Sequence, residues 1–242
     1  MASVSTEIRG EIALVRIDNP PVNALSHEVR AELVDAAVQL ERQDSVKAAI
    51  LICAGRTFIA GADIREFGQP PKPPHLAEVI DRIEAASIPW IAAIHGTALG
   101  GGFETALGCH YRIALPSAKV GLPEVNLGLI PGAGGTVRLP RLVAMDQAID
   151  IISGGRPISA GRAQAMGLID AVADADEDLQ DFALQFAGTI IADTLPVAVS
   201  KRPIFSDPDD AFWSDALQNA GKKARGQISP VAAVEALRDS AR

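Results

Sequence analysis

One stretch, residues 90–107, constrains the fold more than any other part of the chain. It begins as an apolar run that predicts a short buried strand, passes through glycines at 100–102, and enters an apolar segment that predicts a helix. Glycine lets the backbone approach a ligand closely, and a helix start has free N–H groups and a positive dipole end. Glu104 would lie in the first turn. The pattern favours a site for an anion that forms during a reaction, but it also fits a plain tight turn with a dipole-compensating acid.

The composition indicates a globular chain with a sizeable core. Hydrophobic residues make up 48% of the 242 residues, which argues against disorder, and the length corresponds to one or two domains. The 30 acidic and 22 basic side chains give a net charge of −8. A nucleic-acid-binding face needs a basic stripe, so we expect no nucleic acid as a partner, whereas a small anionic ligand needs only a local basic cluster.

The cysteines and the length of the apolar runs bear on where the protein works. Cys53 and Cys109 both lie in apolar surroundings, which indicates buried thiols rather than a disulfide and favours a cytoplasmic location. Residues 1–10 contain no apolar core of a signal peptide. Because no apolar run approaches the ~20 residues of a membrane span, we expect no membrane-spanning segment.

Strand-like and helix-like segments alternate along the chain, which predicts an α/β fold. The prolines within residues 68–75 exclude regular structure and predict an exposed loop. The segment 118–135 is rich in glycine and proline yet carries little charge, so we expect it to line something. The predicted strands are 11–18, 46–53, 90–94 and 110–114. The predicted helices are 27–43 with Ser26 as its N-cap, 76–86, 136–153 with Pro140 near its start or at a break, 159–166, 176–193, 209–224 and 230–241.

Several common functional motifs are absent from the sequence. The dinucleotide-binding pattern G-x-G-x-x-G begins at 132–134, but Val137 occupies its last glycine position. The phosphate-binding loop G-x-x-x-x-G-K-[ST] fails because Gly102 and Phe103 follow Gly101. No G-x-S-x-G elbow of a serine hydrolase occurs. The histidines show no metal-ligand spacing, so we predict no metal site and expect each to be structural or solvated: His27, His75, His95 and His110.

What remains is two glycine-containing turns and two acids in apolar settings. The turns, 60–63 and 100–102, each follow a predicted strand and can offer a backbone N–H, and two such donors form an oxyanion hole. The acids are Glu104 and Glu124, and the apolar neighbours of Glu124 would raise the pKa of its carboxyl above the usual ~4.3. Two carboxyls in a dry site can act as acid and base on one substrate. Taken alone, Glu124 also fits a solvated loop acid.

Motifs in matching order give the chain a resemblance to a known family. Residues 21–25 (PVNAL), 58–64 (FIAGADI), 95–104 (HGTALGGGFE), 121–124 (GLPE) and 130–136 (IPGAGGT) are similar to motifs of the crotonase (enoyl-CoA hydratase/isomerase) superfamily. Within that superfamily, residues 106–114 and 222–226 resemble the hydratase half of the multifunctional fatty-acid β-oxidation enzymes.

The resemblance implies an α/β fold of repeated ββα units wound into a spiral, with the core and active site in 1–194 and a helical region in 195–242. It implies an acyl-CoA thioester substrate whose oxygen is held, as it becomes an enolate, by the backbone N–H groups of Ala62 and Gly101. Glu104 and Glu124 match the family's catalytic glutamates, and no metal or redox cofactor is needed. The other positions that match its substrate-binding motifs are Ala24, Ala60, Gly61, Asp63, Ile64 and Gly100.

The joint presence of Glu104 and Glu124 favours hydration of trans-2-enoyl-CoA to 3-hydroxyacyl-CoA in fatty-acid β-oxidation. Alternatives stay open: Δ3–Δ2-enoyl-CoA isomerisation through the same enolate, another crotonase-fold reaction such as thioester hydrolysis, and a non-catalytic acyl-CoA-binding subunit. Stand-alone members of the superfamily build trimers or dimers of trimers, so we expect a homo-oligomer, a trimer or a hexamer.

The chain departs from the multifunctional enzymes at its end. It stops at Arg242, where they continue into an NAD-dependent dehydrogenase half, so it fits either a stand-alone enzyme or a truncated product. Loop 68–74 lies where the family borders its acyl pocket, which leaves the preferred acyl length open. The candidates for contacts with the coenzyme A phosphates are Arg16, Arg56, Lys201 and Arg202.

Overall fold

The computed structural model describes residues 3–206, 208–224 and 226–241, so Arg225 of the motif at 222–226 and Arg242 lie outside the described residues. The strands are β1 Val4–Arg9, β2 Ile12–Ile17, β3 Ala48–Cys53, β4 Trp90–Ile94, β5 Thr97–Leu99, β6 Tyr111–Ala114, β7 Lys119–Gly121, β8 Ile158–Ser159 and β9 Ala171–Val172. The helices are α1 His27–Leu40, α2 Leu76–Glu84, α3 Gly101–Gly108, α4 Gly135–Arg138, α5 Met145–Gly154, α6 Ala160–Ala165, α7 Leu179–Ile190, α8 Asp210–Lys223 and α9 Ser229–Ser240.

A six-stranded sheet in the order β1-β2-β3-β4-β6-β9 forms the centre of the fold. Its first pair is antiparallel and its other pairs are parallel. The sequence of β3, AAILIC, is apolar throughout because both of its faces are buried. Helices α1, α2 and α3 cover one face of the sheet, and α7 covers the other.

Helix α1 shows how the sequence sets an element's position. The side chain of Ser26 caps its start by accepting from the backbone N–H of Val29 at 3.4 Å. Its buried residues recur at helical spacing and face the sheet, as the sequence predicts. Burial of that apolar face stabilises the helix against the sheet more than helix propensity does.

The strands β5, β7 and β8 form a second, three-stranded sheet in the order β5-β7-β8. A bend at Gly96, where φ is +58°, separates β4 from β5. A Cβ there would lie 2.2 Å from the carbonyl oxygen of Arg56, so only glycine fits. Strand β5 pairs with β7 so that Leu99 lies opposite Gly121. This pairing brings the start of α3 beside the segment that follows β7.

Helix α9 is fixed at both of its ends to segments that come from the centre of the chain. Near its start, the hydroxyl of Ser229 donates to the carbonyl oxygen of Val125 at 2.9 Å. Near its end, the hydroxyl of Ser240 donates to the carbonyl oxygen of Thr136, also at 2.9 Å. The helix also packs against α5 and α8. Helix α9 therefore braces both α4 and the 3-10 helix Glu124–Leu127 that precedes it.

The structure differs from the sequence-based expectations at several elements. The predicted helical stretch 136–153 is divided at Pro140, one of the two places that the sequence allowed for that proline, because a 3-10 turn, Leu139–Arg141, separates α4 from α5 and proline cannot continue an α-helix there. Strand β1 was not predicted, since it is an exposed edge strand with a polar sequence. The strands β5, β7, β8 and β9 have only two or three residues each, too few for a periodic pattern.

Some predicted helices extend too far. Helix α1 ends at Leu40 rather than 43, α2 ends at Glu84 rather than 86, and α7 starts at Leu179 rather than 176. Asp178 sets the start of α7, because its carboxylate accepts from the N–H groups of the first turn. The predicted burial of both cysteines is confirmed. In the part of the chain that the structure describes, no helix is both long enough and apolar enough to cross a membrane.

Candidate active site

The backbone N–H groups of Ala62 and Gly101 are adjacent and unpaired. A Cβ on Gly101 would lie 3.4 Å from the nitrogen of Ala62. Within the described residues, neither N–H donates a hydrogen bond. Gly101 is the first residue of α3, whose opening N–H groups have no partner within the helix. The Ala62 turn is held by the N–H of Leu25, which donates to the carbonyl oxygen of Gly61 at 2.9 Å. Two free N–H groups this close together are a candidate pair of donors for one oxygen atom.

The glycines at this turn are required by contacts as well as by backbone conformation. Gly100 has φ of +53°, in the left-handed region. A Cβ on Gly102 would lie 2.2 Å from the carbonyl oxygen of Ile59, which is backbone and cannot move aside. A Cβ on Gly101 would lie 2.6 Å from Cδ2 of Leu76. The close approach of α3 to the 58–64 segment thus depends on these glycines.

Glu104 is buried beside this pair of N–H groups, in the first turn of α3, as the sequence predicts. Its Oε1 accepts from the N–H groups of Ala133 and Gly135, each at 2.8 Å. Burial raises the pKa of Glu104, while these two N–H groups and the charge of Arg138 oppose part of the rise. Its Oε2 accepts no hydrogen bond from the described residues, so this oxygen is available to a water molecule or a ligand.

Glu124 opens the 3-10 helix Glu124–Leu127 and faces the same turn. A Cβ on Gly100 would lie 3.1 Å from its Oε1. Its Oε2 is buried and has no hydrogen-bond partner among the described residues. Burial, with the nearby charge of Glu104, raises the pKa of Glu124 to about 7. The carboxyl is therefore about half protonated near neutral pH, and it does not correspond to the solvated loop acid that the sequence left open.

The other predicted site residues lie on or next to the same two turns, except Ala24, which lies in the segment between β2 and α1. Gly100 is buried, while Ala24, Ala60 and Gly61 are half-buried and Ile64 is 71% exposed. Asp63 is buried, and its carboxylate accepts from the backbone N–H and the guanidinium of Arg65. The hydrogen bond from Arg65 holds the pKa of Asp63 below its ordinary value. The side chain of Asp63 therefore caps the 3-10 turn Ile64–Glu66.

The loop 68–74 is exposed, as predicted, but its far end is fixed to α1. The buried guanidinium of Arg30 donates to the carbonyl oxygens of Lys72 at 3.3 Å and Pro74 at 2.9 Å. It also donates to Leu25 and to the carboxylate of Glu66. One side chain thus ties the loop to Leu25 and to the 3-10 turn Ile64–Glu66, which follows the turn that carries Ala62. Sequence reasoning missed this contact because the arginine lies in an ordinary amphipathic helix.

The four basic candidates for coenzyme A contacts lie on separate elements. Arg16 lines a cavity of about 380 Å³ at the carboxyl ends of the central strands, on the side of α7, where it donates to Gln180. Arg56 is exposed on the loop after β3, and Lys201 is exposed beside a half-buried Arg202. The structure therefore does not gather them into one basic cluster.

The described residues contain no group of three or more His, Cys, Asp or Glu side chains that could hold a metal ion. His110 is the most buried of the histidines, and its Nδ1 accepts from the backbone N–H of Trp90. Burial lowers the pKa of His110 to about 4, so its ring is neutral at physiological pH. This agrees with the structural role expected for His110.

The segment 118–135 lines the site, as its low charge predicts. It supplies Glu124 and two N–H groups that bind Glu104. Sequence reasoning found the motif at 130–136 but not these two hydrogen bonds, because they join residues about 30 positions apart. Together the site offers two free N–H donors, a buried carboxyl held by two hydrogen bonds, and a second carboxyl of raised pKa. It can stabilise an oxyanion and move a proton on either side of it.

Comparison with known proteins assigns this arrangement to a family. The sequence model described as enoyl-CoA hydratase/isomerase matches residues 7–202. The chain is similar to a peroxisomal bifunctional enzyme of Danio rerio, with 42% identity over 237 residues, 96% of this chain and 32% of that protein. It is also similar to a Bacillus subtilis protein named "Probable enoyl-CoA hydratase", with 46% identity over 176 residues, 70% of this chain and 68% of that one.

Solved structures agree with the fold. An enoyl-CoA hydratase from Bacillus anthracis superimposes with a TM-score of 0.75 and 32% identity, and the match covers 93% of this chain and 90% of that one. The predicted α/β fold of the crotonase type is thus confirmed. The chain spans about a third of the length of the peroxisomal bifunctional enzymes that it matches.

Proposed function

Because the chain belongs to the enoyl-CoA hydratase/isomerase family, we propose that it adds water to a trans-2-enoyl-CoA and releases the 3-hydroxyacyl-CoA, a step of fatty-acid β-oxidation. The observation that carries the proposal is the pair of carboxyls, Glu104 and Glu124, beside two unpaired backbone N–H groups. A site that only binds an acyl-CoA gains nothing from two buried carboxyls, since each is costly to desolvate. A hydratase needs both of them.

In the proposed reaction, the thioester oxygen accepts hydrogen bonds from the N–H groups of Ala62 and Gly101. Attack of water at the β-carbon moves negative charge onto that oxygen as the enolate forms. The two donors and the N-terminal end of α3 stabilise this charge, and they need no reorganisation because they are already in place. In comparable sites, removal of one such donor lowers kcat by about 10²–10³.

The two carboxyls divide the proton transfers. We assign the base to Glu104, whose carboxylate form is favoured by the two N–H groups on Oε1, and the acid to Glu124, whose raised pKa keeps a proton available. The water molecule gives its hydroxyl to the β-carbon and its other proton to Glu104. The proton of Glu124 passes to the α-carbon. Return of a proton from Glu104 to Glu124, directly or through solvent, completes the cycle. Such groups contribute about 10²–10⁴-fold each.

Isomerisation of a Δ3-enoyl-CoA to the Δ2 form is a second candidate. It is favoured by the buried, unpartnered Oε2 of Glu124, since one carboxyl with a pKa of about 7 can take a proton from one carbon and return it to another. The reaction would use the same enolate and the same N–H groups. Glu104 would not be needed for it.

Further parts of the proposal rest on the family and on composition. We propose a homo-oligomer, a trimer or a hexamer, and a division into a core of residues 1–194 and a helical region from 195. The net charge of −8 supports the absence of nucleic acid as a partner. We propose that the reaction needs no cofactor, because the two carboxyls and the N–H groups cover its proton transfers and charge. The buried thiols support a cytoplasmic location, although several similar proteins are named peroxisomal or glyoxysomal.

The experiment follows the ultraviolet absorbance of the conjugated thioester of crotonyl-CoA with the purified chain. We expect the absorbance to fall with the parent and to persist with Glu104→Gln and with Glu124→Gln. Glu235→Gln, which changes an exposed glutamate on α9, is the matched control and should act like the parent. A parent that leaves crotonyl-CoA unchanged but converts a 3-enoyl-CoA would favour isomerisation. An inert parent that binds acyl-CoA but converts neither compound would contradict both proposals.

A further inference from the structure

Arg138, at the end of the short helix α4, is a buried cation that no step of the proposed reaction uses. Its residue is 2% exposed. Its Nη2 donates to Oε2 of Glu84 and to Oδ1 of Asp81, each at 2.7 Å, and its Nη1 donates to the carbonyl oxygen of Ala133 at 3.2 Å. A buried arginine is costly to desolvate unless its partners are well placed.

The contact with Ala133 links the arginine to the catalytic carboxyl. The N–H of Ala133 donates to Oε1 of Glu104 at 2.8 Å, while its carbonyl oxygen, on the other side of the residue, accepts from Arg138. Gly134 follows, with φ of +103°, and a Cβ there would lie 2.0 Å from Nη1 of Arg138. The N–H of Gly135 makes the second bond to Glu104. The turn 133–135 is therefore folded around the guanidinium on one side and the carboxylate on the other.

The carboxylate of Glu84, which accepts from Nη2 of Arg138, is itself held in place. Glu84, at the end of α2, is 7% exposed. Its Oε1 accepts from the backbone N–H of Ser200 at 2.8 Å, and its Oε2 accepts from the hydroxyl of Ser200 at 2.7 Å. Burial alone would raise the pKa of Glu84, but the hydrogen bonds from Arg138 and Ser200 outweigh it and keep the group ionised. The chain of contacts runs from Ser200 through Glu84, Arg138 and Ala133 to Glu104.

We propose that Arg138 is a positioning residue for the reaction: anchored by Glu84, it holds the 133–135 turn so that two backbone N–H groups converge on Oε1 of Glu104. This inference rests on the proposed function. The planar guanidinium suits the task because two separate nitrogens, Nη2 and Nη1, reach the carboxylate and the carbonyl oxygen in a rigid fork that a lysine ammonium lacks. With Oε1 held, Oε2 of Glu104 is kept at a fixed position for the attacking water. Misplacement of such a group by about 1 Å can cost 10²-fold in rate.

The charge of Arg138 has a second effect on the same carboxyl. It opposes the rise that burial causes in the pKa of Glu104. Among the residues that the structure describes, the other charged group near Glu104 is Glu124, whose charge acts in the opposite direction. Removal of the guanidinium charge should therefore make Glu104 harder to ionise. A residue that stabilised the fold at a distance from Glu104 would not change this titration.

The test compares Arg138→Met, Arg138→Lys and Ser200→Ala with the parent. Asp81→Asn is the matched control, since it removes the guanidinium's other carboxylate partner, which is 69% exposed and has no link to the turn. We measure kcat and KM for crotonyl-CoA against pH, and the thermal midpoint of each variant. We expect Arg138→Met to lower kcat at least about tenfold with KM nearly unchanged, and to move the acidic limb of the kcat profile to higher pH. Arg138→Lys should lose kcat but keep the position of that limb.

Outcomes that contradict the inference are distinct from failure of the proposed function. If Arg138→Met and Arg138→Lys are folded and their kcat and pH profiles equal those of the parent, Arg138 has no positioning role. If Arg138→Met does not fold, Arg138→Lys and Ser200→Ala decide, and parent-like kcat in both overturns the proposal. If the parent does not hydrate crotonyl-CoA, carbon-13 NMR titration of the Glu104 carboxyl decides. A higher pKa in a folded charge-removing variant, Arg138→Gln, supports the link, and an unchanged pKa refutes it.

Discussion

Substitution of Glu124 by glutamine is expected to abolish turnover and yet make the protein more stable at alkaline pH. In the folded protein the pKa of Glu124 rises from the ordinary 4.5 to about 7, chiefly because the carboxyl is buried. A raised pKa means that the folded state binds the proton more tightly than the unfolded state. The contribution of Glu124 to the free energy of unfolding is therefore most favourable below pH 4.5 and is lost as pH rises through about 7. Above that pH the full cost of burying the charge is present.

The magnitude follows from that difference in pKa. Since a tenfold change in an equilibrium corresponds to about 1.4 kcal/mol, the charged carboxyl costs the folded state about 3 kcal/mol above pH 8. Glutamine has a similar shape and no charge, so Glu124→Gln removes this cost. The variant should equal the parent in free energy of unfolding near pH 4.5 and exceed it by up to about 3 kcal/mol at pH 8.5.

Urea unfolding of the parent and of Glu124→Gln at both pH values provides the assay. The other titrating groups are common to the two chains, so their contributions cancel in the comparison. Glu235→Gln, at an exposed position, should show no pH-dependent difference from the parent. If the difference in free energy of unfolding between Glu124→Gln and the parent is the same at both pH values, the reasoning is refuted. That result would mean that ionising Glu124 does not destabilise the folded state.

Other predictions concern packing, the loop and the thiols. Gly102→Ala should lower the thermal midpoint, and kcat at least about tenfold, because the new Cβ would lie 2.2 Å from a backbone carbonyl oxygen. Thermal unfolding and the crotonyl-CoA assay measure the two quantities, and parent-like values would contradict the prediction. Arg30→Met should speed proteolysis within 68–74, because four hydrogen bonds are lost; unchanged cleavage would count against the clamp. Cys53 and Cys109 should resist a thiol reagent in the native protein, because burial raises the pKa of both thiols, that of Cys109 to about 12; rapid labelling without unfolding would disprove this.

The sequence predicted the local features of the site well. The run 90–107 indicated a strand, a glycine turn and a helix, and α3 does begin at Gly101 with Glu104 in its first turn. These features are encoded by neighbouring residues, through glycine's conformational freedom and the apolar periodicity on either side. The apolar surroundings of Glu124 likewise predicted a raised pKa, and the structure gives about 7.

The features that the sequence could not provide join distant parts of the chain. Nothing near Arg138 in the sequence indicates that Glu84, 54 positions earlier, would be its buried partner. In the same way, the hydrogen bonds on Oε1 of Glu104 come from a turn about 30 residues later. The strand β1 was also beyond local reasoning, because an exposed edge strand has no apolar alternation to detect. Such contacts follow from tertiary packing and not from periodicity.

The most direct test of the proposed chemistry is mass spectrometry of the products formed from crotonyl-CoA in water labelled with deuterium and oxygen-18. Addition of water through an enolate predicts 3-hydroxybutyryl-CoA that carries one oxygen-18 at the β-carbon and one deuterium at the α-carbon. Neither label should enter product with Glu104→Gln or Glu124→Gln at a rate near that of the parent. Free coenzyme A together with a carboxylic acid that carries the oxygen-18 would contradict the proposal, because it would show that water attacks the thioester and not the double bond.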